Sequence, residues 1–259
     1  MTVEYLLENE VALITLDRPD RFNSVSADLS KAFCSSLQRA AGEARAVVVT
    51  GRGKAFCAGA DLADLIEEYE TGGPDLYRVI NERFNPMAAA LIEAPLPTIA
   101  AINGVAAGAG LGLALACDLR VMSNEAYLLS AFISLGLIPD TGSTWLLVHH
   151  LGLSRVIEFT ATNRRMPAAE AMALGLAHRT VAAEEVVPAA LGWAQELTDG
   201  PTAAYAANRR ILYQAAATDF ATALASERDL QGELGRTPVH IEGMKAFMEK
   251  RPPDFRSVS

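Results

Sequence analysis

The apolar positions of the chain follow two periods, and each marks a class of element. Val3 to Leu7 and Val11 to Leu16 alternate well enough to predict two strands joined at Glu8-Asn9-Glu10. Ser26 has the chemistry of an N-cap, and Leu29, Ala32, Phe33, Leu37 and Ala40 then recur on one face of a helix running to about Ala41. Ala46 to Thr50 and Thr98 to Ile102 are continuous apolar runs rich in β-branched residues, the pattern of buried strands. Between them lie a loop of small residues from Gly51 to Leu62, an acidic helix from Leu62 to Tyr69, and a break at Thr71 to Pro74. A longer helix from Leu76 to Glu93 follows, kinked near Pro86. Leu119 to Ser123 and Tyr127 to Leu129 predict short strands, Ile138 to Ser143 a turn, and Thr144 to Leu151 a helix. From Ser154 onward the pattern is almost all helix. Strands alternate with helices to about residue 181, so the fold class is α/β with a helical C-terminal part.

One junction stands apart. Asn103-Gly104 ends the strand at Ile102, and Gly108-Ala109-Gly110 opens a small-residue helix from Leu111 to Cys117. Residues almost without side chains let a ligand approach the backbone, and the free N–H groups of a first helical turn point at it. Such a turn suits a phosphate or a carbonyl oxygen that becomes an oxyanion. Equally, small residues let a helix pack tightly on a sheet. A dinucleotide fingerprint fits poorly, because Leu113 stands where a third Gly or Ala is needed and Asp118 comes too early for the ribose acid.

Composition narrows the field. A chain of 259 residues is long enough for one large core, and a net charge of -9 argues against a nucleic-acid partner. No apolar run is long enough for a membrane span, and Met1-Thr-Val-Glu-Tyr lacks the features of a signal peptide, so a cytoplasmic protein is expected. Cys34, Cys57 and Cys117 are odd in number and read as reduced, buried residues. His149 and His150 are adjacent on a helix and point apart, with no carboxylate or thiol cluster beside them, so no metal site is expected.

Five motifs in order carry a resemblance: Lys54-Ala-Phe-Cys-Ala-Gly-Ala-Asp-Leu62, the stretch from Ile102 to Asp118, Leu135-Gly-Leu-Ile-Pro139, Ala173-Leu-Gly-Leu-Ala177 and Ala246-Phe-Met-Glu-Lys-Arg251. Together they resemble the crotonase (enoyl-CoA hydratase/isomerase) superfamily over nearly the whole chain. The resemblance implies a crotonase-type ββα spiral core over residues 1–200 that holds an acyl-CoA site. It also implies a C-terminal helical trimerisation region over residues 201–259, in a homotrimer or dimer of trimers. It implies no prosthetic group, the substrate arriving as a coenzyme A thioester. The backbone N–H groups of Ala60 and Ala109 are the implied donors to the thioester oxygen. Ala58, Asp61 and Leu62 match positions along the adenine and pantetheine path, Arg21 and Phe22 the loop over the CoA phosphates, and Phe247 and Lys250 C-terminal positions that reach CoA. Asp61 is equally read as an N-cap of the helix after it.

The departures from the family pattern bear on the reaction. The two carboxylates of the family's hydratases fall at Gly112 and Phe132, and neither residue titrates. Asp140, in Ile138-Pro-Asp-Thr-Gly-Ser-Thr-Trp145, is the remaining acid at a matching position. Its surroundings resemble the ring-1,2-epoxyphenylacetyl-CoA isomerase branch, which also moves a Δ3 double bond to Δ2. That implies a single-acid isomerase, with Asp140 as acid and base and its pKa raised by Phe132, Leu137 and Ile138. Three alternatives stay open: an atypical hydratase, a non-catalytic acyl-CoA-binding protein in which Asp140 or Thr141 merely caps the following helix, and a nicotinamide-binding module. The family's chlorobenzoyl-CoA dehalogenases use an aspartate at the same position, but their His and Trp fall at Asn85 and Phe132. Phe84, Met87, Phe132 and Trp145 suggest an apolar acyl pocket, with Asp64 or Glu67 as possible auxiliary acids.

Overall fold

The computed structural model describes residues 2–258, without the side chain of Glu67. A strand pair, β1 (Val3–Glu8) and β2 (Val11–Leu16), is followed by α1 (Ala27–Glu43). Three further units share one plan. β3 (Ala46–Gly51) and β4 (Ala55–Cys57) precede the helical segment α2 (Ile66–Glu70), α3 (Leu76–Val79) and α4 (Asn85–Ile92). β5 (Thr98–Ile102) and β6 (Val105–Ala107) precede α5 (Ala109–Ala116). β7 (Leu119–Ser123) and β8 (Tyr127–Leu129) precede α6 (Ser143–Leu151) and α7 (Leu153–Thr162). Then come β9 (Met166–Pro167), α8 (Ala168–Ala173), β10 (Arg179–Val181), α9 (Val186–Thr198), α10 (Thr202–Ala215), α11 (Phe220–Leu234) and α12 (Pro238–Glu249).

In each of the three units the first strand enters a six-stranded sheet, ordered β1-β2-β3-β5-β7-β10, and the second a four-stranded sheet, ordered β4-β6-β8-β9. Equivalent strands pair in parallel, Val47 opposite Thr98 and Ile99 opposite Leu119 in the large sheet, Ala55 opposite Val105 and Ala106 opposite Leu128 in the small one. The chain therefore winds as a spiral of ββα turns. The middle strands of the large sheet are buried on both faces, which is why they read as unbroken apolar runs. One face packs on α1, α4 and α5 through Leu29, Phe33, Met87 and Leu111. The other is covered by α9, through Val186, Ala190 and Ala194.

Two segments differ from the sequence expectation. The small-residue stretches at 51–62 and 103–108 hold β4 and β6, three-residue strands too short to show a period. The helix expected from Leu76 to Glu93 is broken by a π-helical turn at Ile80–Phe84, immediately before Pro86. A proline has no N–H to give and crowds the preceding turn, and a wider turn relieves both. No helix among the described residues is long and apolar enough to cross a membrane.

The C-terminal helices are tied to the core by one buried arginine. Arg209 on α10 pairs with Asp118 at the start of β7, and its guanidinium also donates to the carbonyls of Leu91 (2.6 Å), Ile92 and Ala94 (3.2 Å) at the end of α4. Asp118 is held from its other side by the N–H and hydroxyl of Thr98, at 2.9 and 2.8 Å. One cation thus gathers three carbonyls at a helix end and neutralises a buried carboxylate. Replacing Arg209 with Met leaves Asp118 unpaired and is expected to lower unfolding free energy by about 3–5 kcal/mol. In urea denaturation, adding Asp118→Leu to that variant should recover part of the loss.

Candidate active site

The three parallel strands of the small sheet end side by side, at Ala58 to Ala60, Gly108-Ala109 and Ser130 to Phe132. The first two ends touch. Gly59 has φ +95° and Gly108 φ +54°, and a Cβ built on Gly59 would stand 2.9 Å from the Ala107 carbonyl oxygen and 3.4 Å from the Ala109 nitrogen. Gly59 needs glycine for both conformation and space, and Gly108 for its conformation. The second turn opens α5, all of whose residues are buried.

A strap from the first loop fixes the turn at 58–61. Val25 N–H donates to the Gly59 carbonyl at 2.7 Å, Asp61 N–H to Val25 at 3.2 Å, and Ala58 N–H to Phe22 at 3.0 Å. Ala60 N–H and Ala109 N–H take no partner among the described residues, and both residues line one cavity of about 500 Å³. Two free donors on adjoining backbone turns form a site for developing negative charge on an oxygen.

The rest of the cavity is apolar. Its far wall comes from the turn at Leu62–Leu65, α2, α3 and the π-helical turn, through Leu65, Tyr69, Leu76, Val79, Ile80 and Phe84. Phe132 closes the near side, its ring tip 3.8 Å from a Cβ built on Gly108. Asp140 is the one carboxylate among the described residues that line it. Burial raises the Asp140 carboxyl above the ordinary carboxylate range, while a 2.6 Å hydrogen bond from the Thr141 hydroxyl to Oδ1 acts the other way. Leu137 and Ile138 contribute less of that burial than expected, since Ile138 is 79% exposed. The Asp140 side chain makes no helix cap: α6 begins at Gly142 with no side-chain capping bond, and only the Asp140 backbone carbonyl accepts, from Ser143 N–H at 2.8 Å.

Gly112 faces the same turn. A Cβ there would stand 2.6 Å from the Thr141 carbonyl oxygen and 2.9 Å from the Ser143 hydroxyl. The position that carries a carboxylate in the family's hydratases is therefore filled here by backbone. Thr141 itself has φ +54°, rare for a β-branched residue, and the strain of about 1–3 kcal/mol is held by burial.

The other sequence-derived positions divide. Ala58 and Leu62 line the cavity. Asp61 does not; it is 5% exposed, accepts from Ala63 N–H at 3.2 Å as the N-cap of the turn at Leu62–Leu65, and pairs with Arg18 at 2.6 Å. Arg21 and Phe22 are exposed on the strap beside Ala58. Phe247 and Lys250, at the end of α12, are exposed and line no part of the cavity. Phe84 and Phe132 line it as expected, whereas Met87 is in the core and Trp145 stacks on His149 beside a different cavity. Asp64 is exposed and 4.0 Å from Arg83, and the Glu67 side chain lies outside the described residues. His149 Nδ1 lies 2.8 Å from the Trp145 carbonyl oxygen, and no cluster of three metal-ligating side chains occurs among the described residues. What the sequence reading missed is Thr141, whose one signal was its place beside the acid.

Comparisons with known proteins agree with this fold. The family model for enoyl-CoA hydratase/isomerase matches residues 7–258. The chain is 39% identical over 254 residues to a Rhodobacter capsulatus protein named "Probable enoyl-CoA hydratase", covering 98% of this chain and 97% of that one. It is 34% identical over 258 residues to the 1,2-epoxyphenylacetyl-CoA isomerase of Escherichia coli, covering 98% of each. Among solved structures, an enoyl-CoA hydratase from Mycobacterium smegmatis superposes with a TM-score of 0.90 at 29% identity, covering 99% of both chains.

The contact at Gly112 sets two effects against each other. Alanine in a helix interior is favoured over glycine by about 1 kcal/mol. Pushing a Cβ against the Thr141 carbonyl costs about 1–3 kcal/mol. Gly112→Ala is expected to be net destabilising in chemical denaturation; a gain in stability would show that the 140–143 turn yields freely.

Proposed function

The chain belongs to the enoyl-CoA hydratase/isomerase family, and from that premise we propose that it is an acyl-CoA isomerase working through one acid–base group, Asp140. The observation that carries this is a single carboxylate in an apolar cavity that also holds two unpartnered backbone N–H groups. Hydration asks for two groups, one to activate water and one to exchange a proton with carbon. The positions that would supply them are Gly112, closed by the Thr141 backbone, and Phe132, whose ring faces the cavity. An isomerase needs one.

In the proposed reaction a 3-enoyl thioester places its carbonyl oxygen against Ala60 N–H and Ala109 N–H. Ionised Asp140 takes a proton from C2, and the electrons of that bond flow into the thioester to give a dienolate. The two donors stabilise its oxyanion, an effect of about 3–4 kcal/mol per well-placed donor. Neutral Asp140 then returns the proton to C4, and the double bond lies between C2 and C3. Burial matters here, since a carboxyl with a raised pKa is a stronger base toward the C2 proton and holds that proton until C4 receives it. Rearrangement of a ring epoxide through an enolate, formed by loss of a proton from the carbon between ring and thioester, would use the same oxyanion site, and the 34% identity to an epoxyphenylacetyl-CoA isomerase supports that as a second substrate type. The 39% identical relative's name favours the hydratase reading instead.

We place the coenzyme along Ala58 and Leu62, with Arg21 and Phe22 over its phosphates, Asp61 holding the turn beneath, and Phe247 and Lys250 as further contacts. The acyl group it delivers is apolar, since no charged side chain among the described residues lines the far wall. Exposed Trp145, Val148, Leu153 and Ile157 on α6 and α7, with Leu212, Phe220 and Leu224 on α10 and α11, offer apolar surface for assembly into trimers.

The test uses purified protein with 3-enoyl-CoA and 2-enoyl-CoA thioesters. Isomerisation of the 3-enoyl substrate should fall about 10²–10⁴-fold in Asp140→Asn while CoA binding persists. In the wild type kcat/KM should decline as pH drops through the raised Asp140 pKa, because the base must be ionised. Hydration of the 2-enoyl substrate at a rate indifferent to Asp140→Asn would overturn the single-acid mechanism.

A further inference from the structure

We infer that Thr141 is a positioning residue for Asp140: held in the left-handed region against Gly112, it turns its hydroxyl onto Oδ1 and leaves Oδ2 for the substrate. The inference rests on the reading of Asp140 as the acid–base group. Three observations carry it. The hydroxyl donates to Asp140 Oδ1 at 2.6 Å, and Oδ2 takes no bond among the described residues. Thr141 is 1% exposed, so its hydroxyl has no water to choose instead. Its φ of +54° is unfavourable for a β-branched side chain and persists because the surrounding packing holds it.

That packing is the absent side chain of Gly112. Both the Thr141 carbonyl oxygen and Thr141 Cβ would stand within 3 Å of a Cβ at Gly112. Any larger residue on that turn of α5 therefore displaces the threonine that holds the acid. The neighbouring Ser143 hydroxyl is buried and takes no partner among the described residues, so the bond to Asp140 is Thr141's alone.

The bond also sets the acid's strength. A hydroxyl donating to a carboxylate favours the ionised form and lowers its pKa, here against the rise caused by burial. Little else faces Asp140. α5 has no titratable residue, the two histidines of α6 lie in its last turn, and Tyr69 is the other titratable side chain lining the cavity among the described residues. Without the Thr141 hydroxyl, Asp140 keeps the desolvation and loses its one compensating partner.

The test reads the Asp140 carboxyl directly, by carbon-detected NMR titration of the substrate-free full-length protein, with the resonance assigned by its loss in Asp140→Asn. Thr141→Val keeps the shape and removes the hydroxyl; Thr141→Ser keeps the hydroxyl. The midpoint should rise in Thr141→Val and stay near wild type in Thr141→Ser, with the acidic limb of kcat/KM moving in step. A rise of one unit is a tenfold loss of ionised base well below the midpoint. Thr141→Gly guards against a folding defect, since glycine accepts the backbone conformation freely: it should keep or raise Tm and still shift the midpoint upward. An unchanged midpoint in Thr141→Gly and Thr141→Val overturns the inference, even if the protein is an active isomerase. A shifted midpoint in a protein that isomerises nothing upholds the contact and removes the function proposed for Asp140.

Discussion

Parallel pairing of three very short strands is the constraint on which the site depends. β4, β6 and β8 are three residues each, far too short to stand alone, and they persist because each is followed by a turn locked to its neighbour. Parallel strands in register end on the same side, so whatever follows them converges there. That convergence delivers Ala60, Ala109 and Phe132 to one cavity from positions some 70 residues apart in sequence. The mutual fit of Gly59 and Gly108 sets the spacing. A side chain at Gly59 would push the turns apart and separate the two donors.

Within that frame the charge distribution is lopsided. The described cavity walls present two backbone donors, one carboxylate and otherwise hydrocarbon and aromatic surface, with the Tyr69 hydroxyl at the far side. No cation lines the cavity among the described residues; Arg18 pairs with Asp61, Arg78 with Glu68 and Arg83 with Asp64. Asp140 is therefore not neutralised by an ion pair, and burial dominates its acidity. A carboxylate salt-bridged to arginine would have been a weaker base and a poor proton carrier. The low-dielectric wall that raises Asp140 also strengthens the two N–H dipoles that would meet the enolate oxygen. Both effects come from the same apolar residues.

Much of this was legible in the chain itself, for reasons that differ by element. β3 and β5 announce themselves because two-sided burial demands continuous apolar residues, β2 through its alternation, and α1 because its inner face repeats at helical spacing. β4 and β6 do not, since three small residues carry no period and their partners come from distant sequence. The break at Ile80–Phe84 was placed within a few residues because Pro86 forces some distortion, but its π-helical form depends on what the turn packs against. For the site, the motifs located the loops and the acid. They gave Asp61 as a cap but did not show its ion pair with Arg18, that Trp145 turns away to His149, or that Gly112 seats Thr141. Each of those is a three-dimensional contact with no spacing rule behind it.

Gly112 makes the wider point about relatives with different names. Backbone donors survive nearly any side-chain change, so the family frame preserves the capacity to hold an enolate. The outcome of that enolate rests on which carboxylates surround it, and here two positions are linked. A glycine on α5 admits the 140–143 turn, and the turn brings in an acid with its own hydroxyl donor. Installing a carboxylate at 112 would therefore displace the second acid's support as it added the first. On this geometry the single-acid and two-acid arrangements compete for one volume beside α5. Passage between them takes coordinated change on two elements, α5 and the 140–143 turn.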